Sequence, residues 1–204
     1  MGRTRQLLLW LGFCVVCATG SATLGYLAPA VPLSSGLRAV TGPLAVLVLP
    51  LASLLVPLFT VPRVPLRQRT VAWQLVVPVI TGVVLAVVSG EAGNEVALQQ
   101  RGRWTEAVVA SKESGKSDHC TLRRASGQRI SPDLTEGDGC QEYVEPGDTV
   151  SVRYDPAGAA APVTAEESGS YGGFIAGLMV VQVAMGTWGC LRMYRQNAEQ
   201  RARG

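Results

Sequence analysis

Five cysteines are the residues of this 204-residue sequence with the clearest capacity for chemistry. Cys14 and Cys17 form a C-x-x-C pattern, which redox proteins switch between dithiol and disulfide. Cys120 and Cys140 form a second pair in the only long polar segment of the chain. Two such pairs are compatible with a membrane thiol-disulfide oxidoreductase that passes electrons from one pair to the other.

A simpler interpretation treats the two cysteine pairs separately. Cys14 and Cys17 lie in an apolar run near its arginine-bearing end, where thiols act as small core residues. A disulfide between Cys120 and Cys140 would close a loop of about 20 residues and stabilise a small domain by about 3 kcal/mol. We therefore expect a structural disulfide between Cys120 and Cys140, with the oxidoreductase as the alternative.

The single histidine, His119, lies between Asp118 and Cys120 and raises a metal site as another alternative. Adjacent residues of a strand point to opposite faces, so His119 and Cys120 cannot easily hold one ion. The Gly137 to Gly139 turn lacks the spaced acids of a calcium loop. The sequence also lacks a G-x-S-x-G motif. We predict no catalytic residue, no metal and no cofactor.

Long apolar blocks must position these cysteines, because 48% of the residues are hydrophobic and only 16% are charged. Each block is long enough to cross about 30 Å of hydrocarbon as a helix. They run from Leu7 to Leu27, Pro43 to Val61, Val71 to Val88 and Tyr171 to Leu191. For the first block, a cleavable signal peptide ending near Gly20 is the alternative to an uncleaved anchor. The apolar run continues past that point, which favours the anchor.

Proline and small residues predict details of these helices. Pro43, Pro50 and Pro57 recur every seven residues, so we expect a bent second span in which Ser53 satisfies a freed carbonyl. A connection rich in proline, serine and glycine is expected from residue 28 to residue 41.

Small residues four apart let helices approach closely, within the bundle or between protomers. Ser21 and Gly25 have this spacing in the first span, and Gly169, Gly173 and Gly177 have it where the fourth span begins, so we expect packing within the bundle there. Gln182 is the only strongly polar side chain deep in a span, and we expect it to hydrogen-bond a neighbouring helix. The spans contain no Asp, Glu, Lys, Arg or His, which argues against an ion-coupled transporter.

Basic residues predict the topology. Nine of them flank the presumed cytoplasmic ends of the spans, whereas the loop between the first two spans holds only Arg38. The nine are Arg3, Arg5, Arg63, Arg67, Arg69, Arg192, Arg195, Arg201 and Arg203. We predict a multi-pass protein of the bacterial cytoplasmic membrane with both termini in the cytoplasm. Residues 91–170 would then lie outside.

The polar segment is acidic and strand-like. Glu91 to Glu167 holds fourteen of the fifteen acidic residues and only eight basic ones, which argues against nucleic-acid binding. Alternation in Asp148 to Tyr154 predicts a strand with Val150, Val152 and Tyr154 facing a core. The third helix should end at Gly102, and residues 157–170 should form a flexible return.

The domain organisation follows: three transmembrane helices in residues 1–90, a β-rich extracytoplasmic domain in residues 91–170, and a fourth helix with a basic tail in residues 171–204. The expected fold class is membrane α-helical, with a small sheet or barrel of four or five strands between helices 3 and 4.

The element from Gly147 to Pro156, GDTVSVRYDP, resembles domain-of-unknown-function family 3592. The resemblance covers about Leu98 to Pro162, a third of the chain. Its matching positions are Gly102, Gly127, Gly147, Asp148, Val150, Val152, Tyr154, Asp155 and Pro156. The central HCTLRRASGQRI hairpin and the two cysteines depart from the family pattern. The resemblance implies a small extracytoplasmic β domain and no activity.

These observations favour a non-enzymatic interaction or scaffold protein. Its partners would be the lipid bilayer and another membrane or envelope protein, or a second copy of itself. The thiol-disulfide oxidoreductase is the first alternative, and a small transporter or channel subunit is the second.

Overall fold

The computed structural model describes residues 3–32, 35–60, 73–115, 117–164 and 171–203. Four helices in these ranges are long and apolar enough to cross a membrane, which confirms the four apolar helices expected from the sequence. They are Thr4–Ala30, Ala39–Thr60, Val76–Arg101 and Tyr171–Gln196. The predicted cytoplasmic loop with Arg63, Arg67 and Arg69 lies outside the described residues, as does Val71, the predicted start of the third span.

The helical elements extend past the apolar blocks, because backbone hydrogen bonding does not require apolar side chains. In chain order they are α1 (Arg3–Ala30), α2 (Ser35–Pro43), a π-helical turn (Leu44–Val48), α3 (Leu49–Thr60), a 3₁₀ turn (Trp73–Leu75), α4 (Val76–Arg101) and α5 (Tyr171–Arg203). The prediction of a connection across residues 28–41 is therefore wrong at both ends. Extending an existing helix adds a hydrogen bond for each residue ordered, which offsets the weak helix propensity of its serine and glycine residues.

The prolines of the second span produce a wider helical turn. The Leu49 N–H bonds to the Leu44 carbonyl in place of the usual α-helical partner. Pro50 follows directly and has no N–H to donate, so the ordinary pattern cannot continue through it. The Ser53 hydroxyl donates to the Pro50 carbonyl at 2.6 Å, which is not one of the carbonyls that the three prolines free, so the expected role of Ser53 is not the one observed. The predicted irregularity takes the form of a π-helical turn.

Small residues bring helices close in one of the two predicted places. A Cβ on Gly25 would lie 2.5 Å from the carbonyl oxygen of Ala86 in α4, so α1 and α4 are in backbone contact there. A Cβ on Gly173 or Gly177 would meet nothing within 4 Å. Within the described chain, the prediction of packing inside the bundle is wrong at these two glycines, and packing between protomers stays a prediction.

Gln182 is 1% exposed, yet neither its amide oxygen nor its amide nitrogen has a hydrogen-bond partner among the described residues. The expected hydrogen bond to a neighbouring helix is therefore wrong. The Gln182 amide lies against Gly82, and the ring of Pro50 packs against the same glycine.

The polar segment contains one antiparallel sheet of four strands in the order β3-β2-β1-β4. The strands are β1 (Arg103–Glu113), β2 (His119–Arg124), β3 (Arg129–Thr135) and β4 (Thr149–Tyr154). The small sheet expected from the sequence is confirmed. Gly127 closes the β2–β3 hairpin with φ +81°, and its N–H bonds to the Arg124 carbonyl at 2.8 Å.

One face of the sheet carries the hydrophobic core. Val152 and Tyr154 are buried, and Val150 packs against them, as the alternation in β4 predicts. The other strands contribute the remaining core residues Ala107, Val109, Cys120, Leu122, Ile130 and Leu134. Cys140 and Val144, from the loop between β3 and β4, complete this core.

The chain divides into two compact units. The helical unit comprises Met1–Gly25, Gly36–Ser89 and Ser170–Gly204. The sheet unit comprises Tyr26–Ser35 and Gly90–Gly169, so it includes the end of α1 and the last turns of α4. Residues 157–164 of the sheet unit are bonded to it, and the prediction of a flexible return is wrong for them. Residues 165–170 lie outside the description.

Candidate functional site

Cys120 and Cys140 are paired at disulfide-bonding distance, with their Cα atoms 5.7 Å apart. Cys120 is the second residue of β2 and points into the core, and Cys140 follows the 3₁₀ turn Glu136–Asp138. Both side chains are fully buried. The Cys140 N–H also bonds to the Thr135 carbonyl at 2.9 Å. The pair therefore lies inside the hydrophobic core. It tethers the loop between β3 and β4, residues 136–148, to the sheet, and we name this segment the covering loop.

The neighbours of Cys120 do not converge on an ion. His119 is exposed whereas Cys120 is buried, as the opposite faces of a strand require. Asp118 forms an ion pair with Lys112 at 2.9 Å, and the hydrogen bond from Lys112 holds the pKa of the Asp118 carboxyl below its ordinary value. Within the described ranges, no three histidine, cysteine or acidic side chains gather as a metal site would need.

The helical unit brings together a different pair of thiols from the one that the C-x-x-C pattern predicts. Cys14 of α1 is hydrogen-bonded to Cys190 of α5, not to Cys17. All three thiols are free and buried. A Cβ added at Gly186 of α5 would lie 2.8 Å from the Cys14 sulfur, so α1 and α5 pack closely there. The three cysteines are core residues at the contact between α1 and α5.

An ion pair between Arg101 and Asp155 lies where several segments of the sheet unit meet. Arg101 is the last residue of α4, and Asp155 directly follows β4. The Arg101 Nη2 and Nε atoms donate to Asp155 Oδ2 at 2.9 and 3.2 Å. Arg101 also donates to the Ala30 carbonyl at 2.6 Å and to the Pro29 carbonyl at 2.9 Å. One guanidinium thus joins the ends of α1, α4 and β4.

Asp155 organises the segment that follows it. Its carboxylate accepts the N–H groups of Ala157, Ala159 and Ala160 at 3.0 to 3.3 Å. Its side chain is fully buried. Burial alone would raise the pKa of Asp155, but the hydrogen bonds from Arg101 and from the backbone outweigh it and hold that pKa below its ordinary value. The carboxylate is therefore ionised under ordinary conditions.

A second contact holds the same segment against α4. The side-chain amide of Asn94 forms two hydrogen bonds with the backbone of Ala161. The Ala161 N–H donates to Asn94 Oδ1 at 2.6 Å, and Asn94 Nδ2 donates to the Ala161 carbonyl at 3.4 Å. Ala97, Leu98 and Ala160 form a small buried cluster beside it. The sheet is consequently attached to α4 through β1, which follows it directly, and through the segment after β4.

The second face of the sheet is exposed and carries apolar side chains. Trp104 is 45% exposed and Val108 is 38% exposed, and both point away from the core residues of β1. Val108 lies opposite Arg123 of β2 on one side and Thr149 of β4 on the other. Arg129 of β3 lies opposite Arg123. We name Trp104, Val108, Arg123 and Arg129 the outer face.

The outer face and the Arg101–Asp155 pair were both missed by sequence reasoning. At the level of sequence, Asp155 entered only as a position that carries the family resemblance. A signal was present, since an aspartate directly before Pro156, Ala157 and Gly158 resembles a side chain that accepts backbone N–H groups in a turn. Its arginine partner is 54 residues away, which no local pattern reveals.

Comparisons of this chain with protein-family models, with curated proteins and with solved structures find no match.

Proposed function

We propose that this chain is a non-enzymatic interaction protein of the bacterial cytoplasmic membrane that displays the outer face to a protein partner. Its four apolar helices anchor it, and the extracytoplasmic domain of residues 91–170, which contains the sheet, forms the contact. The resemblance of the GDTVSVRYDP element to domain-of-unknown-function family 3592 is part of this proposal. Both termini lie in the cytoplasm, supported by the arginines that flank the helices.

The outer face is the observation that carries the proposal. A four-stranded sheet needs to bury only one face to fold, and here the core on the other face is complete. Trp104 and Val108 nevertheless expose apolar surface beside two arginines. Tryptophan and arginine are enriched where protein partners bind. An exposed tryptophan on an attached, ordered sheet is therefore suited to docking a partner.

The rigid attachment of the sheet supports the same conclusion. Arg101 and Asn94 bond the end of β4 and the segment after it to α4 and to the end of α1. A domain held in this way keeps a constant orientation relative to the helix end that carries it. A partner surface gains affinity when its groups are ordered before binding.

In-cell photo-crosslinking tests the proposal. A photoreactive amino acid replaces Val108 in one strain, Ser126 of the exposed β2–β3 turn in a second, and Tyr143 of the covering loop in a third. Tyr143 is 76% exposed and represents the rival apolar surface. We expect a discrete adduct from position 108 and none from positions 126 and 143. An adduct from position 143 alone, or none from any position, contradicts the proposal.

A paired substitution separates binding from folding. Val108→Glu should reduce the adduct from a probe at position 104 at least ten-fold, because it places a charge at the centre of the outer face. The exposed position should leave stability within about 0.5 kcal/mol of the wild type. Ser126→Glu, in the exposed β2–β3 turn away from the outer face, serves as the matched control for an added charge.

A further inference from the structure

An apolar groove runs along the contact between α1 and α5 in the helical unit. It has a volume of about 600 Å³. Leu11, Val15 and Thr19 line it from α1, and Val183, Ala184 and Trp188 line it from α5. The Thr19 hydroxyl is occupied within its own helix, donating to the Val15 carbonyl at 2.8 Å. The lining is almost entirely apolar, so the groove suits a hydrocarbon occupant.

The length of the groove matches one leaflet of a bilayer. Its lining on α5 extends from Met179 to Leu191, which corresponds to about 18 Å at 1.5 Å per residue. Half of the hydrocarbon core is about 15 Å thick. An extended acyl chain of one leaflet therefore fits along the groove.

Basic residues continue the groove at one end. Arg192 follows Trp188 by four residues, and Arg195 follows Leu191 by four, so both lie on the groove-lining side of α5 one turn further along. Both side chains are exposed. Because Cα–Cβ bonds tilt towards the start of a helix, both side chains lean back towards the groove.

We infer that this groove binds one acyl chain of an anionic phospholipid and that Arg192 and Arg195 bind its phosphate. Guanidinium groups bind phosphate through paired, charge-assisted hydrogen bonds. The apolar groove would accept the chain of any phospholipid, so the two arginines supply the preference for negative charge. The inference requires only that the helices lie in a membrane, and it is independent of the partner proposed for the outer face.

Quenching of Trp188 fluorescence by brominated lipids tests this inference on the full chain. Trp10, Trp73 and Trp104 are replaced by phenylalanine, which leaves Trp188 in the groove as the reporter. The protein is placed in phosphatidylcholine vesicles that contain increasing fractions of phosphatidylglycerol with brominated chains. A parallel series adds brominated phosphatidylcholine instead. One arginine near an anionic lipid surface changes affinity by roughly five-fold. Brominated phosphatidylglycerol should therefore half-quench Trp188 at a lipid fraction at least about five-fold lower than the fraction of brominated phosphatidylcholine that does so.

Three variants assign the effect to the groove and its arginines. The double variant Arg192→Gln, Arg195→Gln should bring the ratio of the two half-quenching fractions to about one while quenching persists. Ala184→Phe should fill the groove and weaken quenching by both lipids. Arg201→Gln, which removes a positive charge from the tail beyond these residues, should keep the wild-type ratio.

Several results would overturn the inference. Equal quenching by both lipids in the wild type would indicate ordinary lipid contact. Absence of quenching by either lipid would show that a second protein chain covers Trp188. A preference for phosphatidylglycerol that persists in the double arginine variant would contradict the role of the two arginines. Full quenching in Ala184→Phe would contradict binding in the groove. The melting temperature of each variant, compared with the wild type, identifies any that has lost its fold and must be replaced by Ala184→Leu or Arg195→Gln alone.

Discussion

Arg101 and Asp155 connect two elements that are 54 residues apart in the chain, with the Arg101 Nη2 atom 2.9 Å from Asp155 Oδ2. The aspartate is fully buried, whereas the arginine is 25% exposed. A buried carboxylate needs a partner because its desolvation is costly. Here that partner also bonds to the end of α1, so the charge pair determines how three chain segments meet within the sheet unit.

Removing the arginine should cost more than altering the aspartate. Arg101→Ala leaves the Asp155 carboxylate buried without a cation, and we expect a loss of about 3 kcal/mol in the free energy of unfolding of the sheet unit. Asp155→Asn should cost about 1–2 kcal/mol, because the amide oxygen still accepts backbone N–H groups. Amide hydrogen exchange at Ala159 and Ala160 measures both effects.

Arg129 provides the matched control for a lost arginine. It forms an ion pair with Asp133 at 2.8 Å, but the two side chains are 60% and 32% exposed. Water screens such a pair, so Arg129→Ala should change the free energy of unfolding by less than about 0.5 kcal/mol. Equal losses in Arg101→Ala and Arg129→Ala would show that the buried pair has no special role.

The lowered pKa of Asp155 predicts that the sheet unit is destabilised by acid. The folded-state pKa lies below the ordinary aspartate value of about 3.9, so the stabilisation is fully present above that pH. It is lost as the pH falls through the folded-state pKa, because the unfolded chain then binds a proton more readily. The melting temperature of the sheet unit, followed by Trp104 fluorescence, should drop between pH 5 and pH 3. Asp155→Asn should flatten this drop, and Asp133→Asn should not.

The disulfide should contribute measurably to the same unit. Cys120 and Cys140 are 20 residues apart, and closing such a loop stabilises a fold by about 3 kcal/mol. The double variant Cys120→Ala, Cys140→Ala should therefore speed hydrogen exchange at the core amides of Val109 and Val152. Cys17→Ala, a buried cysteine of the helical unit, is the control. Unchanged exchange in the double variant would mean that the pair adds no stability.

Cys14→Ala distinguishes an interaction protein from a thiol-disulfide oxidoreductase. An oxidoreductase would require Cys14, whose thiol is bonded to Cys190, to exchange electrons with the outer pair. We expect Cys120 and Cys140 to remain oxidised in cells carrying Cys14→Ala, as judged by alkylation before and after reduction. Accumulation of the reduced pair in this variant would support the enzyme.

Sequence patterns predicted the structure correctly where a local pattern of apolar residues determines it. Four apolar blocks predicted four helices, and the alternation from Thr149 to Tyr154 predicted the buried face of β4. Gly102 was also correctly placed at the end of α4, although for a different reason. Gly102 does not adopt a positive φ. A Cβ at this position would collide with the Leu98 carbonyl oxygen and would lie 3.0 Å from the Arg153 Nε atom.

Sequence patterns failed where the structure depends on distant partners. The segment from residue 157 to residue 164 was predicted to be flexible because it is rich in alanine and glycine, yet Asp155 and Asn94 hold it. The hydrogen-bond partner of Gln182 was predicted from polarity alone, but neither of its amide atoms has a partner among the described residues. Cys14 and Cys17 were expected to be small core residues, and both are buried, but the hydrogen bond from Cys14 to Cys190 was not predicted. Each case requires knowledge of a contact across the fold.

The side of the membrane occupied by the sheet unit is the most direct test of the account. Cys14, Cys17 and Cys190 are replaced by alanine, and a cysteine is introduced at Gln128 in the exposed β2–β3 turn or at Arg203 in the tail. A maleimide that cannot cross the cytoplasmic membrane is then added to cells in which the outer envelope has been permeabilised and the cytoplasmic membrane is intact. The account predicts labelling of Gln128→Cys before lysis and of Arg203→Cys only after lysis. Labelling of Arg203→Cys alone before lysis would contradict it.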